Sequence, residues 1–263
     1  MKLSFGYMSR WWIMMVAVMA ITHSAQALVI YGGAAGQTTD PGDGLPWDNV
    51  GNTGVYLGAY DTGYWVITAN HVGSGGITLG GDFYASLGGS AQRIGTTDLL
   101  LYRINVSTHG APELENLNIS PSTPVAGQPV VMVADGGGTM TWGTNTVHQY
   151  ANYSLSEGGP QTVGLITTYS PITGEAQGQS GDSGGALFYQ QLDGSWLLSG
   201  ILSAIGTSEG TQFTASVAVA AYYADIVAIV GTALAPIPEP ASAAVLAGGV
   251  VLVAGGFARR RRG

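Results

Sequence analysis

From residue 54 to residue 217 this chain is a succession of short β-branched and aromatic runs, each cut off by turn-forming residues. Tyr64-Trp-Val-Ile-Thr-Ala69 is the clearest of them. A run of that kind between turn residues reads as a strand. Others fall at 54–60, 77–79, 82–87 and 99–104, then at 129–134, 139–142, 146–150, 163–169, 186–190, 196–204 and 212–217. The 42 glycines among 263 residues are about twice ordinary usage and supply the tight turns such a chain needs. Short strands so regularly punctuated close into barrels or stack as sandwiches. Residues 220–230 break the pattern, because Tyr223, Ile226, Val227 and Val230 share one helical face. The expected body is all-β, with two groups of about six strands, a linker over 106–124 and one closing helix.

Charge and cysteine narrow the setting. The net charge is −8 and the sequence pI about 4.7, which argues against nucleic acid as a partner. There is no cysteine. Lys2 and Arg10 precede an apolar run over 11–21, and Ala25-Gln26-Ala27 has the small-x-small form of a cleavage site. Residues 1–27 therefore read as a signal peptide, with cleavage after Ala27 leaving Leu28 first. An exported chain without disulfides depends on its packed core, and the remaining length is enough to bury one. Residues 28–53, rich in Gly, Asp and Pro, read as a loosely structured arm.

The far end carries a second address. Pro238-Glu239-Pro240 precedes an uncharged stretch over 241–258, and Arg259 to Arg262 follow. Eighteen helical residues span ~27 Å, close to the hydrocarbon thickness of a bilayer. A basic cluster beyond them is held on the cytoplasmic side. Residues 236–263 resemble the PEP-CTERM sorting signal of Gram-negative bacteria. That resemblance implies an exosortase-type partner acting near Pro238-Glu239-Pro240. It also implies an inner-membrane anchor over 241–258 and a body in the cell envelope or outside the cell. An ordinary tail anchor is the alternative.

The chemistry-bearing stretch is Gly178-Gln-Ser-Gly-Asp-Ser-Gly-Gly-Ala186. Acyl transfer needs a hydroxyl on a tight turn beside backbone N–H groups aimed at one point. A Gly/Ser/Asp turn between strands fits the same residues. His71 follows directly on the strongest apolar strand, and Asp98 begins another. A histidine at a strand end is usually structural, and an aspartate there is usually a turn residue. His23 lies in the leader, His109 in the linker and His148 in a polar strand. No phosphate loop, dinucleotide fingerprint or His/Cys cluster at metal spacing is present, so neither a cofactor nor a metal is expected.

Taken together, the motifs resemble the chymotrypsin-like (trypsin-like) serine proteases. Ile67-Thr-Ala-Asn-His71 is similar to the family's Thr-Ala-Ala-His. Thr97-Asp98-Leu-Leu-Leu101 is similar to Asp-Ile-Ala-Leu, and Gly181-Asp-Ser-Gly-Gly185 matches Gly-Asp-Ser-Gly-Gly at every position. Gly200-Ile-Leu-Ser203 is similar to the strand lining the primary specificity pocket.

The resemblance covers about residues 50–232. It implies two six-stranded antiparallel β-barrels, one over about 54–105 and one with the closing helix over 125–232, together forming a protease domain at 54–232. It implies Ser183 as nucleophile, His71 as general base and Asp98 as its orienting partner. The N–H groups of Gly181 and Ser183 would form the oxyanion hole, and Ser203 would support Asp98. Asp182 would take a partner that orders the oxyanion loop. In the family that partner is a new α-amine, and Val29-Ile-Tyr-Gly-Gly33 is similar to the segment that carries it, although the expected cleavage leaves Leu28 ahead. The substrate pocket would involve Gln177, Gly178, Ser203 and Gly206. A neutral amide at Gln177 does not imply the preference for basic residues that an aspartate would.

Two other readings fit the same sequence. One is an inactive surface β-barrel acting as a binding or matrix module, suited by low charge and 13 tyrosines. The other is an esterase that uses the same triad, since the chemistry up to the acyl-enzyme is shared.

Overall fold

The computed structural model describes residues 27–33, 37–60 and 62–231. The sorting signal and membrane anchor expected at 236–263, and all of the expected leader but Ala27, lie outside the described residues. Among the described residues no helix is long and apolar enough to cross a membrane.

A short strand β1 (Val29–Ile30) opens the described chain. The first unit follows with β2 (Val55–Tyr60), β3 (Gly63–Ala69), β4 (Gly76–Leu79), β5 (Asp82–Ala85), β6 (Gln92–Arg93) and β7 (Leu99–Arg103). The second holds β8 (Pro129–Asp135), β9 (Met140–Tyr153), β10 (Thr162–Thr168), β11 (Ala176–Gln177), β12 (Ala186–Gln190), β13 (Trp196–Ser208) and β14 (Thr211–Ala218). A 3-10 turn over Val219–Tyr222 leads into α1 (Tyr223–Val230).

The second unit is a closed barrel in the order β10-β14-β13-β12-β8-β9, with every pairing antiparallel. The first unit differs from the expected six-stranded ring. It is a four-stranded sheet, β2-β3-β7-β6, beside the two-stranded β4-β5 hairpin. Side chains bridge part of the gap that a ladder would have filled. Asn52 Oδ1 accepts the N–H of Thr78 at 2.9 Å, while the Thr53 hydroxyl and, at 3.1 Å, that of Tyr102 both donate to the carbonyl of Gly76. On the other side a single bridge, Ser86 to Ile104, ties the hairpin to the end of β7.

The strands are apolar on both faces because each face has its own core. Val130, Met132 and Ala134 pack with Leu165, Leu187 and Leu202 in the second unit. Tyr56, Val66, Ile77, Tyr102 and Ile104 pack together in the first. The alternate residues of the same strands, Leu57, Ile67, Leu99 and Leu101 with Val133, Phe188, Leu198 and Ile201, meet in one shared cluster between the units. A strand with period two can serve both clusters only in one register, since a slip by one residue would exchange its faces. α1 seals the shared cluster with Ile226 and Val230, and Thr62 Oγ1 donates to its terminal carbonyl at Val230 (2.8 Å).

The arm, expected to be loosely structured, and the linker are both packed. The arm is laced to the second unit: β1 pairs with β11, Trp142 donates to the carbonyls of Gln37 and Thr39, and Trp196 Nε1 donates to that of Asp43. Half-buried tryptophans still direct their N–H groups to acceptors, and a polar, Gly-rich segment offers its carbonyls. The linker buries Leu117 and Ile119 in the shared cluster, and Ile119 bridges Leu198.

The sequence also suggested two strands where one long strand, β9, runs. Gly143 sits inside it because a Cβ there would come within 2.6 Å of Ile30 and 2.7 Å of Ala176. This glycine therefore marks a close approach rather than a turn.

Candidate active site

The turn after β3 presents His71, and the start of β7 presents Asp98. Antiparallel pairing of these strands sets Ala69 opposite Leu99, so the residues just beyond each strand meet. The His71 N–H donates to Asp98 Oδ1 at 2.9 Å, and His71 Nδ1 lies 2.8 Å from Oδ2. Asp98 is 3% exposed and His71 38% by side chain, so the carboxylate is hidden behind a ring that still reaches solvent.

Asp98 is further restrained from the second unit. Ser203 Oγ donates to Oδ2 at 2.5 Å, and the Asp98 N–H donates to Thr162 Oγ1 at 3.0 Å. A buried carboxylate is tolerable when several donors satisfy it, and here three converge on its two oxygens.

Ser183 lies on the turn between β11 and β12. That turn packs against the first unit at Gly184. Its φ of +94° and a would-be Cβ only 2.6 Å from the Thr53 carbonyl both call for glycine. The turn is held by Gly184 N–H to Leu202 O at 2.8 Å and Gly185 N–H to Asp182 O at 3.0 Å. The N–H groups of Gly181 and Ser183 make no hydrogen bond among the described residues and remain available to a ligand. Ser183 Oγ donates to the carbonyl of Ser203 at 3.3 Å rather than to His71.

His71, Gly181, Ser183 and Ser203 line one cleft of about 710 Å³. Asn52, Val72, Leu155, Ala204, Ile205 and Thr214 complete much of its wall. Of the other residues singled out by sequence, Gly178 lines the cleft, with its N–H donating to Thr214 Oγ1 at 2.9 Å. Gln177 does not line it: its amide is buried and donates to the Phe213 carbonyl at 2.8 Å. Gly206 also lies off the lining, against the Phe213 ring. Glu175 turns to the Ser170 N–H. His109 pairs with Asp82 in the first unit at 3.4 Å.

Asp182 is 3% exposed. Burial pushes its carboxyl up to about 7, against the opposing pull of the Gln179 N–H on Oδ2 (2.7 Å), and the charge of Asp135 pushes the same way as burial. Asp182 Oδ1 and Asp135 Oδ1 are both buried without a partner. A Cβ on Gly136 would lie 2.5 Å from Asp182 Oδ1 and 3.0 Å from the backbone nitrogen of Ala27. The unpartnered Asp182 Oδ1 thus lies close to the backbone of Ala27. Thr162, Thr214, Leu155 and Ile205 were not singled out by sequence, because nothing local distinguishes a residue that meets Asp98 or the cleft only through tertiary packing.

No protein-family model matches the chain, and no curated protein matches it. Several solved structures resemble it. The Rv3671c protease of M. tuberculosis, in its inactive form, is 18% identical over 71% of this chain and 91% of that one, with a TM-score of 0.48. The MamO protease domain from Magnetospirillum magneticum, in its apo form, is 19% identical over 69% of this chain and 96% of that one, at 0.46. The HtrA-type protease AlgW with a decapeptide is 18% identical over 67% of this chain and half of that one, at 0.47. At identities and scores this low, the chemistry of the chain rests on its own residues.

Proposed function

We propose that this chain is a serine endopeptidase. The observation that carries the reading is that His71, backed by buried Asp98, and Ser183 line one cleft from separate elements, beside two free backbone N–H groups. In this reading Ser183 attacks the scissile carbonyl, and His71 takes its proton and later delivers it to the leaving amine. Asp98 fixes the proton of His71 on Nδ1, so that Nε2 is the basic nitrogen, and stabilises the imidazolium. The developing oxyanion accepts from the N–H groups of Gly181 and Ser183, donors that cost no reorganisation as charge appears. For this step Ser183 Oγ would have to turn from the Ser203 carbonyl to His71; catalytic hydrogen bonds commonly tighten only when substrate is bound.

The peptide main chain would lie along β13 from Ser203 onward. There β12 no longer pairs with β13, and the edge is open to an added strand. The body would work outside the inner membrane, delivered by its leader and sorted by an exosortase through Pro238-Glu239-Pro240. Leader removal would also complete the site. An α-amine on Leu28, freed by cleavage after Ala27, would suit the unpartnered Asp182 Oδ1 that lies beside the Ala27 backbone.

A fluorophosphonate probe tests the reading. The processed protein should be labelled and should cleave denatured protein substrates, while Ser183→Ala should do neither. A folded, processed sample that takes no label would sink the proposal in favour of a binding module. Labelling with ester but no amide hydrolysis would favour an esterase.

A further inference from the structure

The non-catalytic side of the cleft carries information about what the enzyme would cut. One wall is the backbone of Gly178 to Ser183, and the facing wall is β13 from Ser203 to Ile205. Such a slot admits a substrate side chain only as far as its walls stay apart.

Here they close early. Ile205 and Thr214 are directly opposed across the β13–β14 ladder. Both turn toward Gly178: a Cβ on Gly178 would lie 3.0 Å from Thr214 Cγ2 and 3.3 Å from Ile205 Cγ2. The two side chains therefore touch the opposite wall and fill the space a long side chain would need. Thr214 cannot swing away at no cost, because its hydroxyl accepts the Gly178 N–H at 2.9 Å.

Behind them the Phe213 ring covers Gly206, where a Cβ would be only 2.3 Å from it, and the Gln177 NH₂ donates to the Phe213 carbonyl while its neutral Oε1 is buried without a partner. Leu155 and Ala204 extend the apolar surface. The charged or chargeable residues on the lining are His71 and Asp182, and Asp182 is turned inward onto the Gln179 N–H. An ammonium, guanidinium or carboxylate pushed into this slot would lose its water and find no partner.

We infer that Ile205 and Thr214 set the specificity of the site, and that it takes a short aliphatic side chain such as Val or Ala immediately before the cut bond. This inference rests on the peptidase reading. Aromatic side chains are excluded by length and charged ones by desolvation. A short aliphatic side chain buries its methyl groups against Ile205 and Thr214 Cγ2, and each added methylene that fits is worth about 10- to 200-fold.

The test uses the full chain after export and processing, with tetrapeptide p-nitroanilides that differ only in the last residue: Ala, Val, Phe, Lys or Glu. The expected result is kcat/KM for Val or Ala about 100-fold or more above Phe, Lys and Glu. In Ile205→Gly/Thr214→Gly the ratio of Phe to Val cleavage should rise by at least about tenfold. Ile205→Ala, a milder change, should raise it in the same direction if the double variant unfolds.

Equal or better cleavage after Phe, Lys or Glu by the unmodified protein would overturn the inference and leave the peptidase reading intact. So would fluorophosphonate labelling of Ser183 and cleavage of denatured protein with none of the five cleaved, or variants that fold but keep the original ratio. Absence of both labelling and cleavage would instead remove the peptidase reading on which the inference stands.

Discussion

His71 and Asp98 are joined twice, once through the His71 backbone N–H to Oδ1 at 2.9 Å and once through ring Nδ1 to Oδ2 at 2.8 Å. The first contact fixes where the carboxylate sits relative to the β3 turn. The second fixes which ring nitrogen carries the proton. Exchange of the carboxylate for an amide keeps the shape but can present an NH₂ to Nδ1, which then has to be the unprotonated nitrogen. Asp98→Asn should therefore lower turnover by on the order of 10⁴ while the circular dichroism spectrum stays unchanged. A loss below tenfold in steady-state kinetics would show that His71 does not depend on Asp98 for its tautomer.

Ser203 reaches Asp98 across the interface between the two units, with Oγ 2.5 Å from Oδ2. A hydrogen bond to a charged group contributes about 1.5–3 kcal/mol, and its loss leaves a buried carboxylate oxygen short of a donor. Ser203→Ala should lower kcat/KM by about 10- to 100-fold, mostly in kcat, because Asp98 is freed to shift away from His71. An effect confined to KM would instead identify Ser203 as a contact to substrate alone.

Asp182 makes a prediction about pH. Its carboxyl is raised from an ordinary 3.8 to about 7 because the charged form is buried. In the folded protein it therefore holds its proton over a range where the unfolded chain has released it. Stability from this group is present below about pH 4 and is lost as pH rises toward 7, by roughly 4 kcal/mol at most. The form that keeps its leader should follow this trend in urea unfolding, and Asp182→Asn should flatten it. In the processed form an ammonium beside Oδ1 would favour the carboxylate, and stability should no longer fall between pH 4 and 7. Parallel curves for the two forms would rule out an α-amine partner.

Much of this was legible in the sequence, and the limits have physical causes. Strands such as β3 and β7 were readable because β-branched runs between turn residues carry their own signal, and the Gly181 to Gly185 turn was readable because its backbone needs glycine. The open first ring was not, since its gap is bridged by the side chains of Asn52 and Thr53, residues that look like ordinary turn formers. Nor was the packed arm. Gln37, Thr39 and Asp43 contribute carbonyl oxygens, which leave no mark on residue choice. Thr162 and Thr214 act through hydroxyls placed by pairing between distant strands, and a threonine in a strand is unremarkable by itself.

Gly143 offers a check on how the arm couples to the rest. A methyl group there would have to share space with Ile30 on β1 and Ala176 on β11, at 2.6 and 2.7 Å. The Ile30 atom is its terminal Cδ1, which can turn aside only within a side chain that is 7% exposed, while the Ala176 Cβ belongs to a fully buried residue and cannot move without its backbone. The β1–β11 pair, two residues on each side, is the weaker partner and should yield first. Gly143→Ala should cost about 1–3 kcal/mol in urea unfolding, the usual range for overpacking. It should also raise amide exchange at Val29 and Ile30 ahead of the barrel strands. Because β11 leads directly into the Gly178 to Ser183 wall, fluorophosphonate labelling should slow as well. A destabilised variant with unaltered labelling rate would show that the arm supports the fold but not the site.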